Sequence, residues 1–290
     1  MRASSRKHRI RSKKSPRMLI KIWGCRGSLP SPGPKTSYFG GNTSCVELRC
    51  GGETIILDAG SGIRELGQAL MRDGAFRGSL IFSHYHWDHI MGLPFFTPTY
   101  IPSNSFKIYG EKKDGKGVQE VLSGQMQAPY FPVPMKAMKA NMEFVDIGPD
   151  MIFQIGEVTV KTFRAYHPNG CLAFRIEYDG AVVTYATDTE HTNIMDANIL
   201  KAAQGTDLFI YDTTYTEKEF NGIGGPSKKG WGHSTWEEAV KLSRDSGVKR
   251  LLLWHHDPAH TDAFVSRMEA LSRKVFKETR AARDGMTIVL

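Results

Sequence analysis

Ser79-Leu80-Ile81-Phe82-Ser83-His84-Tyr85-His86-Trp87-Asp88-His89 is the stretch on which the reading of this chain turns. Its first five residues, apolar or small, spell a short buried strand that ends directly in His84. Three imidazoles and a carboxylate then fall within six residues. A loop leaving a strand end can turn such side chains inward, so that two reach one cation and two another. Imidazole with carboxylate is the donor set of zinc or a similar transition metal. Packing offers no reason to gather three histidines there, because histidine is a minority residue in cores.

Working outward, short β-rich runs alternate with amphipathic segments. Strands are expected at Met18 to Cys25, Thr43 to Cys50 and Thr54 to Asp58, the last two joined through Gly51-Gly52 in a hairpin. Ile63 to Met71 has helical spacing, with Ser61 as its cap. Phe95 to Ala140 is broken by six prolines if Pro94 is included, and reads as loops walling a cleft around one helix, Val118 to Met126. Strands resume at Met142 to Asp146, Met151 to Ile155, Val158 to Ala165, Cys171 to Tyr178 and Ala181 to Ala186. A helix near Asp196 to Ala203, a strand Leu208 to Tyr211, a helix Ser234 to Ser246 and a strand Arg250 to Trp254 follow. A long helix, Asp262 to Arg283, then precedes a final strand, Met286 to Leu290.

The chain has 290 residues, 40% of them hydrophobic, enough for a substantial core. No apolar stretch approaches the roughly 18 residues of a membrane span, and no apolar run follows the charged N-terminus, which excludes an integral membrane protein and a secretory signal. The net charge of +8 is carried by the first 17 residues, where Arg2, Arg6, Lys7, Arg9, Arg11, Lys13, Lys14 and Arg17 meet no acid. Residues 1–17 therefore read as a basic, disordered tail and 18–290 as one domain of zero net charge. Cys25, Cys45, Cys50 and Cys171 form no C-x-x-C pair, and read as reduced packing residues of a cytoplasmic protein.

The pattern H-x-H-x-D-H after a short strand, followed by Ile90-Met91-Gly92-Leu93, resembles the signature of the metallo-β-lactamase superfamily. The resemblance spans Met18 to Leu290. It implies an α+β fold, a four-layer αββα sandwich with a dinuclear metal site at one edge. Carried over residue by residue, it gives His84, His86 and His167 to the first metal and Asp88, His89 and His255 to the second, with Asp188 bridging both. His255 is preferred over the adjacent His256, which in extended chain points the other way. His256, Asp257 and His260 remain candidates for contacts behind the ligands, with His260 read as a cap or surface residue. Gly232-His233-Ser234-Thr235 resembles the ribonuclease Z and phosphodiesterase branch, in which a histidine outside the metal shell faces the scissile phosphate. His233 fills that role here, Asp212 is its supporting acid, and Ser234 is the expected helix cap.

These parts imply a metal-dependent hydrolase with two divalent ions, zinc first and manganese or iron as alternatives. Two cations roughly 3.5–4 Å apart share and acidify a hydroxide and neutralise phosphoryl oxygens. Asp88, besides ligating, would orient that hydroxide, and His233 would protonate the departing oxygen. The sequence departs from ribonuclease Z in lacking a protruding basic arm, while Lys112, Lys113, Lys116, Lys136 and Lys139 read as a solvated face. Trp87 and Tyr130-Phe131 supply aromatic surface suited to a nucleobase. The expected substrate is therefore a small nucleotide-like phosphodiester, a cyclic nucleotide or short oligonucleotide. Nucleic acid is a less favoured partner, in which case the chain is a transfer-RNA 3′-processing endonuclease. A catalytically silent nucleotide-binding module is a second alternative. Family members are commonly homodimers.

Overall fold

The computed structural model describes residues 17–72, 74–191 and 196–290. The expected tail thus lies outside the described residues, apart from Arg17. The chain runs β1 (Met18–Gly24), β2 (Cys45–Cys50), β3 (Glu53–Leu57), α1 (Ile63–Leu70), β4 (Arg77–Ile81), α2 (Trp87–Ile90), β5 (Ser105–Glu111), α3 (Val118–Gly124), β6 (Asn141–Ile147) and β7 (Ile152–Ile155). It continues with β8 (Val158–Ala165), β9 (Cys171–Tyr178), β10 (Ala181–Ala186), α4 (Asp196–Ala203), β11 (Leu208–Asp212), α5 (Glu217–Phe220) and α6 (Trp236–Asp245). β12 (Leu251–Trp254), α7 (Asp262–Val275), β13 (Thr279–Ala281) and β14 (Thr287–Val289) complete it.

The strands form two seven-stranded mixed sheets, ordered β14-β1-β2-β3-β4-β5-β6 and β13-β12-β11-β10-β9-β8-β7. Successive side chains of a strand point to opposite faces, and here both faces are covered. Leu252 and Trp254 of β12 face the layer between the sheets, together with Ile20, Leu57, Ile81, Phe174 and Tyr185. Leu251 and Leu253 of the same strand face Ala239, Val240 and Met268 beneath α6 and α7. On the other sheet Ile56, Leu80 and Phe106 pack under Leu66 of α1 and Leu122 of α3. Each such side chain removed from water contributes about 1.5–3 kcal/mol. The result is the expected α+β sandwich of four layers. No helix among the described residues is long and apolar enough to cross a membrane.

Parallel pairing sets where the site can form. β3, β4 and β5 run together in one sheet, and β10, β11 and β12 run together in the other. β8 shares the direction of β10, since each is antiparallel to β9. Their C-terminal ends open along one edge of the sandwich, where the loops carry the polar residues.

Four sequence expectations are corrected. The long last helix stops at Val275, and Thr279 and Ala281 instead pair with Leu251 and Leu253 as a parallel edge strand. The proline-punctuated middle contains β5, a strand seated between β4 and β6 with Phe106 and Ile108 buried. Ser61 does not cap α1; Gly62 holds that position, and the Ser61 hydroxyl accepts from the Thr43 amide at 2.9 Å. At α6 the cap is Thr235, whose side chain accepts from the Glu238 amide at 3.2 Å, while Ser234 meets the Tyr211 hydroxyl at 3.1 Å.

Candidate metal centre

Strand ends deliver the donors. His84 lies three residues past β4, His167 and Asp188 two past β8 and β10, and His255 one past β12. Asp88 and His89 sit on the single turn α2. Asp188 and His255 both adopt left-handed backbone conformations, at φ 47° and 62°. Such conformations cost about 1–3 kcal/mol in non-glycine residues and persist only where surrounding contacts impose them.

The Asp188 carboxylate stands at the middle. Its Oδ2 is 3.6 Å from the Nε2 atoms of both His84 and His167, and Nδ1 of His86 lies 2.9 Å from His167 Nε2. Its Oδ1 is 3.2 Å from His89 Nε2 and 3.3 Å from His255 Nε2. Asp88 Oδ2 lies 3.3 and 3.0 Å from those same two nitrogens. Two four-donor groups result, His84, His86, His167 and Asp188 on one side and Asp88, His89, Asp188 and His255 on the other, with donor atoms within 4.8 Å of one another. All seven residues expected from the sequence are brought together.

The donor set fits divalent cations. Nε2 of His84 and of His89 are buried without a hydrogen bond, an arrangement native interiors avoid unless something else meets the lone pair. Burial pushes His84 well below the usual imidazole range and His167 down to about 4, so both are neutral, as ligation requires. Burial would raise Asp88, but His89 and His255 outweigh it and hold the carboxylate well below its usual value. Burial would likewise lower His255, yet Asp188 and Asp88 lift it to about 9. These carboxylates attract positive charge strongly enough to reverse the effect of complete burial.

A second set of contacts fixes the rings. His89 Nδ1 is 2.8 Å from Asp58 Oδ2, and Asp58 also accepts from the Ser83 amide (2.7 Å), the Ser83 hydroxyl (2.8 Å) and the Tyr185 hydroxyl (2.8 Å). His167 Nδ1 donates to the Gly232 carbonyl at 2.7 Å, and His255 Nδ1 is 3.0 Å from the Thr214 hydroxyl. Anchoring Nδ1 leaves Nε2 aimed into the site, which sets tautomer and orientation at once. The Ser28 amide donates to Asp88 Oδ2 at 2.8 Å.

Beside the second group, His233 Nδ1 is 2.8 Å from Asp212 Oδ2, and its ring lies nearly parallel to that of His255 at 4.8 Å. Asp212 is fully buried and also accepts from the Thr214 amide, the Thr214 hydroxyl and the Thr189 amide. The turn before His233 is pinned by Glu190, whose carboxylate accepts from the Gly230 and Gly232 amides at 2.8 and 2.9 Å. Gly232 has φ +85°, and a Cβ there would fall 2.2 Å from the His167 ring.

His256 points away from the cluster. Its Nε2 is 2.9 Å from the Ala282 carbonyl, and burial drops it to about 3. Asp257 gives its carbonyl to the Arg26 guanidinium at 3.1 Å, so neither residue bonds to the seven. His260 is a correction: it is buried, pairs with Glu219 at 2.8 Å and stacks on Phe264, while Thr261 caps α7. Lys113 is another, since it bonds Glu111 and the Asn169 carbonyl rather than solvent. Trp87 and Tyr130 are 79% and 87% exposed, so neither is a packing residue. Asp58, Thr214 and Glu190 escaped the sequence reading. Asp58 carried a signal, because it follows β3 as His84 follows β4 and Asp188 follows β10.

Residues 53–256 match the Beta-lactamase superfamily domain. The chain belongs to this superfamily and is a metal-dependent hydrolase fold of the ribonuclease Z and phosphodiesterase-like branch. It is similar to the "Ribonuclease Z" of Lachnoclostridium phytofermentans, 24% identical over 323 aligned positions that cover 93% of this chain and 96% of that protein. Among solved structures, the metallo-beta-lactamase fold protein YhfI from Bacillus subtilis superposes with a TM-score of 0.71 at 20% identity, covering 95% of this chain and all of that one. A diphosphatase from the PhnP family superposes at 0.69 and 17% identity, covering 94% and 97%.

Proposed function

We propose that this chain is a dinuclear-metal phosphodiesterase acting on a small nucleotide-like phosphodiester, a cyclic nucleotide or short oligonucleotide. In this reading His84, His86 and His167 would hold one divalent ion and Asp88, His89 and His255 the other, with Asp188, common to both groups, serving the two. Zinc suits the imidazole-rich donors, and manganese or iron are accepted by the same set. Divalent cations held there supply charge against phosphoryl oxygens and lower the pKa of a water. Asp88 orients the attacking water. His233, held by Asp212 through Nδ1, presents Nε2 to the departing oxygen and gives it a proton. Asp58 behind His89, Asp212 behind His233, the Gly232 carbonyl behind His167 and the Thr214 hydroxyl behind His255 keep those rings in place. The four cysteines are free and buried, in keeping with a reducing, cytoplasmic setting.

The observation that carries the reading is the Asp212–His233 pair, a buried acid and imidazole that belong to neither four-donor group. Hydrolysis of a C–N or C–S bond would leave that pair without a role. His233→Ala should retain its metal and lose about 10²- to 10³-fold in kcat on bis-p-nitrophenyl phosphate. Loss of metal with turnover intact would refute the assignment. A screen of 2′,3′- and 3′,5′-cyclic nucleotides, dinucleotides and precursor transfer RNA then fixes the substrate class.

The second reading, a transfer-RNA 3′-processing endonuclease, is favoured by the relative named ribonuclease Z. Against it, the 323 aligned positions exceed the 290 residues of this chain, so that relative carries inserted residues missing here. Deleting residues 1–17 and measuring transfer-RNA affinity against salt separates the readings, since an RNA-gripping tail would lose several phosphate contacts.

A further inference from the structure

Between α5 and His233 the chain forms a lip, Asn221-Gly222-Ile223-Gly224-Gly225-Pro226-Ser227-Lys228-Lys229-Gly230-Trp231-Gly232. Five glycines and a proline leave Ile223 and Trp231 as its large apolar side chains, both exposed, so hydrogen bonds rather than a core hold it. The Lys228 amide donates to the Phe220 carbonyl and the Trp231 amide to the Lys228 carbonyl, both at 3.1 Å. Its end is fastened to the metal centre twice, through Glu190 to the Gly230 and Gly232 amides and through the Gly232 carbonyl to His167.

That frame presents one aromatic ring, Trp231, and two lysines, of which Lys229 lies 5.8 Å from the Phe220 ring while Lys228 lies beside the indole. Trp231 is 54% exposed, two residues from His233. The Lys228 ammonium sits 4.0 Å above one face of its indole and 5.7 Å from the Tyr215 ring, whose centroid is 5.9 Å from that of His233. These two ring steps bound the ammonium-to-imidazole separation at about 12 Å. Lys228 is only partly exposed and has no carboxylate partner among the described residues. A part-buried cation without a counter-charge, beside an aromatic face, has the chemistry of a nucleotide contact: the ring stacks on a base and the ammonium meets a phosphate.

We infer that the Asn221–Gly232 lip recognises a nucleotide, with Trp231 stacking on the base and Lys228 binding a phosphate other than the one cleaved. This rests on the phosphodiesterase reading and narrows it to substrates that carry a base, with those that carry a second phosphate preferred. A plain cyclic mononucleotide uses Trp231 alone, whereas a short oligonucleotide uses both residues.

Three substrates with one leaving group test this on the metal-loaded protein: methyl p-nitrophenyl phosphate, thymidine 5′-p-nitrophenyl phosphate, and the latter with a 3′-phosphate. Trp231→Ala should leave kcat/KM unchanged on the first and lower it about tenfold on the other two, mainly through KM, with Trp231→Phe restoring most of the loss. Lys228→Gln should lower kcat/KM about tenfold on the third alone. Calorimetric binding of thymidine 3′,5′-bisphosphate should weaken about tenfold in each of the Trp231→Ala and Lys228→Gln variants. Equal losses on all three substrates, or unchanged binding of the bisphosphate, would overturn the inference. If the wild type turns over none of the three, the phosphodiesterase reading fails, and the bisphosphate binding decides the role of the lip by itself.

Discussion

Asp188 divides the centre, each of its carboxylate oxygens facing a different trio of donors. A single residue can serve two cations only if its backbone is held still. The left-handed turn that exposes both oxygens, with Thr187 bonded to Oδ1, supplies that constraint. The neighbouring pair His255 and His256 shows how finely direction is set. His255 turns into the cluster while His256 reaches the Ala282 carbonyl on the far side. His255→Ala should therefore lose about one equivalent of metal and at least 10²-fold in rate, measured by metal analysis and turnover. His256→Ala should keep its metal and lose about 1–3 kcal/mol of stability as a buried hydrogen bond is removed. The opposite order would move the ligand to His256. The seven donors were legible because they follow strand ends, singly or in the H-x-H-x-D-H run after β4, in a family-like order. Asp58 follows a strand end too, but a carboxylate that supports a ring from behind belongs to no histidine-rich motif, and its place after β3 did not by itself single it out.

At the level of elements, the loop between β1 and β2 is tied to the rest by a buried residue, Arg26, and a half-buried one, Asp284. The Arg26 guanidinium donates to the carbonyls of Gly40, Asp257 and His260, and Asp284 accepts from the Asn42 amide at 3.1 Å. Burial lifts the Asp284 carboxyl to about 6. Its folded value lies above the unfolded one, so the folded state binds the proton more tightly. The contribution of Asp284 to stability should be fully present below about pH 4 and be lost as pH rises through about 6, by about 3 kcal/mol at most. Asp284→Asn should flatten that decline in denaturant titrations, and an unchanged slope would remove Asp284 as its source. Elements also mark where sequence reading failed. Thr279–Ala281 continues a helical pattern, but its buried faces complete the sheet beside β12, and that pairing outweighs local preference. β5 was hidden by flanking prolines that end the strand's neighbours and leave the strand itself intact.

Across the whole molecule, four buried carboxylates, Asp58, Asp88, Asp188 and Asp212, gather at one edge of two sheets that enclose an apolar cluster between them. Their mutual repulsion is offset by imidazolium protons or, more effectively, by divalent cations, so metal binding and folding are linked. Chelation should lower Tm by about 5–10 °C and stop turnover, both recovering when zinc or manganese is restored. An unchanged Tm would uncouple the metals from the fold. The layers themselves were readable from alternating apolar runs, since strands such as Leu251–Trp254, apolar on both faces, require cover on both sides. The most direct test is elemental analysis of the purified protein beside Asp188→Asn. The wild type should carry two transition-metal ions per chain and the variant at most one. A wild type with no stoichiometric metal, or a variant that keeps two, would contradict the account.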